Sequence, residues 1–219
     1  MRIDLHSHSE YSPDSVTPVE DVLRAARKAG LDGIAITDHN ALEGSLKAVG
    51  MADGLLVVPA VEISTATGHL IGLGVRTAIA AGQSVEETAE QVRAQGALPI
   101  AAHPWRRRTG IGPAGILAGR IEVVETFNAR TWARNNTLAR EFASEHAKPQ
   151  SGGSDAHTLE EVGGGYIELP YPVDDLDSLI EAVRKGAGQG KGSQRPFGRV
   201  AANTTANITR WLSRGGRDI

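Results

Sequence analysis

The 219-residue chain contains no cysteine, and only three Trp, three Tyr and three Phe. Without thiols there is no disulfide partner and no thiolate metal site, so any bound metal must be held by nitrogen and oxygen ligands. So few aromatic residues leave a core to be built from Val, Ile, Leu and Ala. No apolar run approaches the roughly 20 residues that a membrane-spanning helix needs, and no membrane partner is expected. The opening Met-Arg-Ile-Asp-Leu-His reaches charge and histidine at once, unlike a secretory leader. A cytoplasmic location is the expectation. A net charge of −3 gives no global attraction to nucleic acid.

What is present fits one α/β domain: 40% hydrophobic and 22% charged residues over a length sufficient for a full core. Apolar stretches of strand length recur at 33–36, 55–61, 69–75, 98–102, 121–127 and 166–169. Helical segments separate most of them. Thr17-Pro18-Val19-Glu20 predicts a capped helix over about 18–29, Asn40-x-x-Glu43 a second, and Ser84-x-x-Glu87 a third. A further helix is predicted to end near His146, and another over 176–185. This alternation argues a parallel sheet with crossover helices.

Six of the seven histidines stand at or just after these strands: His6 and His8 in Asp4-Leu5-His6-Ser7-His8, His39 after Asp38, His69, His103 before Pro104, and His157 after Asp155. In a strand, residues i and i+2 share a face, so His6 and His8 can address one ion. Polar residues at the C-terminal ends of several different strands are what a β/α barrel uses for its site, whereas an open doubly wound sheet concentrates them at one switch point. A barrel is therefore favoured. The candidate ligands are His6, His8, Asp14, His39, Glu62, His69, His103, Asp155 and His157. Nine exceed the three or four that one ion needs, which points to two or three divalent ions, Mn, Zn or Fe by ligand type. Asp4 and Asp38 read as partners that orient a neighbouring imidazole rather than as ligands. His146 reads as an exposed helical residue.

Taken together, Asp4-Leu5-His6-Ser7-His8, Ile36-Thr37-Asp38-His39, Glu62 with His69-Leu70, Ala102-His103-Pro104 and Gly153-Ser154-Asp155-Ala156-His157 resemble the PHP (polymerase and histidinol phosphatase) superfamily, with all motifs in order from residue 2 to about 170. The resemblance implies a distorted β/α barrel, typically of seven strands, with up to three metals at its C-terminal face. It implies that His6, His8, Glu62 and Asp155 hold one ion, Asp14, His39 and His157 a second, and Glu62, His69 and His103 a third, with Glu62 bridging. Asp155 and His103 are the expected catalytic residues. The activity implied is hydrolysis of small phosphate esters by metal-activated hydroxide. Asp14, where several phosphatase members carry histidine, resembles the branch acting on nucleotides and short oligonucleotides. That branch often has a helical insertion between the equivalents of His69 and His103, which here has room for only one helix. The alternatives are a histidinol-phosphate-type phosphatase, a low-turnover metal-binding or regulatory domain, and a non-specific nucleic-acid binder using the basic tail.

Arg106, Arg107, Asn128 and Arg130 follow two of the strands and are candidate contacts to a phosphorylated substrate, as is Arg195 in the tail. Trp132 reads more readily as a helix-packing residue than as a base-stacking one. The barrel is expected to occupy 1–187. A basic, glycine-rich segment, mobile over 186–194, and a C-terminal helix over about 199–214 packed on the barrel fill 188–219.

Overall fold

The computed structural model describes residues 1–194, so Arg195 and the helix expected beyond it lie outside the described residues. The strands are β1 (Arg2–Ser7), β2 (Gly33–Ile36), β3 (Leu56–Ser64), β4 (His69–Leu73), β5 (Leu98–Ala101), β6 (Val123–Asn128), β7 (Gln150–Gly153), β8 (Gly165–Glu168) and β9 (Gln189–Gly192). The helices are α1 (Val19–Lys28), α2 (Glu43–Val49), α3 (Val85–Ala94), α4 (Gly112–Ala118), α5 (Ala133–Glu145) and α6 (Leu176–Arg184). The stretch expected to be a mobile, glycine-rich link instead contains β9, hydrogen-bonded antiparallel to β8.

The strands pair in sequence order, and a β1–β8 pairing closes the ring. The sheet is mixed rather than wholly parallel. β4 runs antiparallel to β3 and β5 because only Thr65 to Gly68 join it to β3, too short a link for a crossover. β8 is likewise antiparallel to β1 and β7. It fills the seam only at its lower end, where Arg2 and Ile3 face Glu168 and Ile167. Above it β7 continues and bonds to β1 directly: Asp155 N donates to His6 O at 2.7 Å and His8 N to Ala156 O at 2.8 Å. Seven strands thus converge on the C-terminal rim, and the eighth is a wedge beneath it.

Inside the ring, Ile3, Leu5, Val58, Ala60, Ile71, Leu73, Leu98, Ile100 and Val123 form one buried cluster with Leu179, Ile180 and Val183 of α6. Each inward-facing row then turns polar at its upper end. On β3, Val58 and Ala60 are followed on the same face by Glu62; on β4, Leu73 and Ile71 by His69; on β6, Val123 by Glu125. A register shift between Asp4 and Ser7 places His6 after Leu5 in this polar layer. Ser84 caps α3 through the expected capping box. Thr17 and Asn40 do not cap their helices. Asn40 instead takes a left-handed φ of 55° and its Oδ1 accepts from Ser64 N at 2.8 Å, tying the loop after β2 to β3.

Candidate metal centre

Six strands or their following loops deliver the nine candidate ligands to one place. Glu62 is its centre. Oε2 lies 3.2 Å from His6 Nε2, 3.3 Å from His8 Nε2 and 3.3 Å from His39 Nδ1. Oε1 lies 2.9 Å from His69 Nδ1 and 2.8 Å from His103 Nε2. Asp155 Oδ1 is 3.4 Å from His8 Nε2, while Asp14 Oδ2 is 2.6 Å from His157 Nε2 and 3.6 Å from His39 Nε2. Four overlapping groups have donor atoms close enough for one ion each: His8, Asp14, His39 and His157; His6, Glu62 and His103; His6, His8 and Asp155; His39, Glu62 and His69.

The donor set passes a direct test of fit to cations. His6 Nε2, His8 Nε2, His39 Nδ1, Glu62 Oε2 and His103 Nδ1 are buried without a hydrogen-bond partner. An orphaned buried polar atom costs about 1–3 kcal/mol, so the three imidazole nitrogens of His6, His8 and His39 gathered about Glu62 Oε2 are a poor arrangement for stability alone. Divalent ions would satisfy the four that gather there, on His6, His8, His39 and Glu62; His103 presents its other nitrogen, Nε2, to Glu62. Without them the groups hold one another charged. Burial opposes a charge on His6 and His8, yet Glu125, Glu62 and Asp155 outweigh it on His6, raising it well above its ordinary value, and Asp155 and Glu62 outweigh it on His8, raising it to about 9. Burial also opposes the charge on Glu62 and Asp155, but His39 and His6 around the first and Arg106 and His6 around the second keep both ionised. His103 goes the other way: burial and the nearby Arg106 push it down to about 4, so its imidazole is neutral at pH 7.

The carboxylates flanking the motif histidines do not orient imidazoles, contrary to expectation. Asp4 Oδ1 accepts from His6 N at 3.2 Å and Ser154 N at 2.9 Å, and Oδ2 from Gly163 N at 3.0 Å. It ties the ends of β1 and β7 together, and burial pushes its carboxyl up to about 6. Asp38 accepts from Ser9 N and Ser9 Oγ, both at 2.6 Å, shaping the loop after β1. The orienting carboxylate is Glu125, which sequence reasoning missed. Its Oε1 sits 3.0 Å from His6 Nδ1, and its Oε2 accepts from His103 N at 2.6 Å and Asn128 Nδ2 at 3.1 Å. A carboxylate at Nδ1 fixes the proton there and leaves Nε2 free to face Glu62. The available signal was parity: Glu125 shares the inward face with Val123.

Above the cluster lies a cavity of about 320 Å³ lined in part by Arg106, Thr109, Arg130, Thr131 and Trp132. Arg106 donates to Asn128 Oδ1 at 3.1 Å and to Asp155 Oδ2, and Asn128 Nδ2 donates to the same Asp155 oxygen at 3.2 Å. One oxygen of Asp155 therefore faces the histidines and the other is held by the rim. Arg130 contacts His157 Nδ1 and lies 3.9 Å from Asp155 Oδ1. Arg107 is exposed and does not line the cavity. Thr109 Oγ1, not anticipated, is buried and unpartnered. Trp132 stands on the rim at 63% exposure and so is not a helix-packing residue. His146 is exposed, as expected, and stacks on Phe142.

Comparison with known proteins agrees with the motif order. Residues 4–103 match the PHP domain family and residues 133–187 a PHP-associated family. An uncharacterized protein of Methanocaldococcus jannaschii is 38% identical over 141 residues, 59% of this chain and 82% of that one. A 3′,5′-nucleoside bisphosphate phosphatase of Chromobacterium violaceum is 38% identical over 106 residues, 43% of this chain and 37% of that protein. In fold, the chain superposes with a TM-score of 0.71 on a two-domain protein from Bacteroides vulgatus containing a predicted PHP-like metal-dependent phosphoesterase, at 17% identity and covering 94% of this chain and 69% of the other. The barrel, the order of its histidine motifs and these matches together place the chain in the PHP family.

Proposed function

We propose that the protein is a metal-dependent phosphoesterase, with nucleotides or short oligonucleotides as substrates and two or three divalent ions, Mn, Zn or Fe, as cofactors. The observation that carries this reading is the set of unpartnered buried donor atoms on His6, His8, His39 and Glu62, with His103 Nε2 against the same carboxylate, beneath a cavity rimmed by arginine. In this reading His6, His8, Glu62 and Asp155 hold one ion, Asp14, His39 and His157 another, and Glu62, His69 and His103 a third. Such ions, when bound, supply an activated water and neutralise charge on a phosphoryl group.

The chain's own residues do the rest. Arg106 and Arg130 offer N–H groups to the phosphoryl oxygens, and their charge favours the more negative transition state. Thr109 Oγ1 is a spare donor on the same wall. Neutral His103 serves as a nitrogen ligand rather than as a proton donor to the leaving oxygen, since its pKa of about 4 leaves it unprotonated at pH 7. Asn128 keeps Asp155 aimed at the histidines while Arg106 approaches it from the rim. The nucleotide assignment draws on the relative from Chromobacterium violaceum, named as a nucleoside bisphosphate phosphatase.

The test is phosphate release from a nucleoside 3′,5′-bisphosphate, a nucleoside monophosphate, a short RNA and histidinol phosphate, with elemental analysis of the same preparation. Chelator-sensitive release from the nucleotides, with at least two ions per chain, is expected. Preference for histidinol phosphate would replace the substrate assignment, and metal binding without turnover on any ester would replace the enzymatic one.

A further inference from the structure

The phosphoesterase reading leaves one rim residue unused. Of the exposed large apolar side chains among the described residues, Trp132 is the most exposed and the one that lines the cavity. Its backbone is firmly mounted. Trp132 O accepts from Asn135 N at 2.9 Å and Asn136 N at 3.2 Å in the first turn of α5. The buried Asn136 amide brackets Asn128, accepting from its N at 3.1 Å and donating to its O at 3.0 Å. Gln194 Nε2 donates to Thr131 O at 2.8 Å from the other side. Trp132, 63% exposed, thus stands on a fixed base and lines the same cavity as the two arginines assigned to the phosphoryl group.

Its neighbours say what it suits. A tryptophan that anchors a protein partner sits at the centre of an apolar, desolvated patch, whereas Trp132 shares its wall with Thr109, Thr131, Arg106 and Arg130. The first turn of α5 carries no acidic residue to repel a polyanion. A cavity of about 320 Å³ is at the small end of ligand sites. It encloses a phosphoryl group and what is attached next, so a larger leaving group must continue over the rim. Every nucleobase has a π-face that stacks on an aromatic ring without regard to sequence.

The geometry points to Trp132 as a stacking platform for the nucleobase next to the scissile phosphate, so that the site selects nucleoside esters over aliphatic phosphate esters of similar charge. The proposal rests on the phosphoesterase reading for its kinetic consequence but not for its binding consequence, and the two are measured separately. In the first arm, kcat/KM is compared for a nucleoside monophosphate and for glycerol phosphate in the wild type, Trp132→Ala and Trp132→Phe. Trp132→Ala should lower the ratio of the two by about tenfold, through KM, and Trp132→Phe should restore most of it. An unchanged ratio in Trp132→Ala overturns the proposal.

In the second arm, Trp105 and Trp211 are replaced by phenylalanine and the remaining tryptophan emission is followed as the metal-loaded protein is titrated with a nucleoside monophosphate or with ribose phosphate. Quenching by the nucleotide alone supports stacking, and equal responses or none count against it. If the wild type releases phosphate from neither ester, the phosphoesterase reading fails, while the fluorescence titration still decides whether Trp132 binds a base.

Discussion

Replacing Glu125 by glutamine keeps the side chain's shape and changes only what its two end atoms can offer. In the wild type both carboxylate oxygens accept: one from the His6 ring, the other from His103 N and the Asn128 amide. Glutamine must turn its NH2 toward one side. Toward His103 and Asn128, it opposes two donors with a third and leaves both unsatisfied in a site where Glu125 is 1% exposed. At about 1–3 kcal/mol for each buried orphan, that orientation costs about 2–6 kcal/mol. Toward His6, the amide donates to Nδ1 and forces the ring proton onto Nε2, the atom that faces Glu62. The second orientation is the cheaper for folding and removes a metal-binding lone pair. Glu125→Gln should therefore fold with a slightly lowered Tm, bind its ions about 10–100-fold more weakly, and recover activity in excess metal. Elemental analysis after dialysis, and activity against metal concentration, read this directly. Wild-type metal retention with a wild-type metal–activity curve would refute the orienting role.

Prolonged dialysis against a chelator should lower Tm by several degrees, since the four buried donor atoms on His6, His8, His39 and Glu62 lose their only partners; a Tm independent of metal would mean that the histidines do not share ions. Arg106→Ala should lower kcat/KM about 10–1,000-fold with bound metal little changed, because it removes a phosphate donor and one of two donors on Asp155 Oδ2; wild-type kinetics would take Arg106 out of the site. Gly44→Ala should destabilise the fold by about 1–3 kcal/mol, because the new Cβ would stand 2.2 Å from Asp38 Oδ2 and push it off Ser9; a denaturation midpoint equal to wild type would show that this loop yields.

The donor set was legible because most of its histidines stand at or just after the end of an apolar strand, where a polar residue has few places to go but the barrel mouth; His69 instead opens β4, whose reversed direction brings its first residue to the same rim. Glu125 was not, since it lies inside its strand and only the alternation with Val123 betrays its direction. The imidazole-orienting role expected of Asp4 and Asp38 failed for a related reason. A short carboxylate beside a motif histidine sits on the opposite parity or just past the strand, and backbone N–H groups of the adjoining loops are nearer than any ring. The parallel-sheet expectation missed β4 and β8, whose direction depends on connection length rather than on the strands' own composition. Helix starts were readable where a capping box was also structurally free to form, as at Ser84. Asn40 has the same signature, but its side chain is engaged by Ser64 across the loop.

The seam of the barrel has a mechanical consequence. His6 and Asp155 belong to the two strands whose direct bonding closes the ring above β8, and they also face a common ion position. An ion held there would act as a rivet across the joint, so amide hydrogens of β1, β7 and β8 should exchange fastest when the protein is stripped, well before those of β3 and β4 on the far side. The metal centre and the fastening of the cylinder would then be a single object, occupied or lost together.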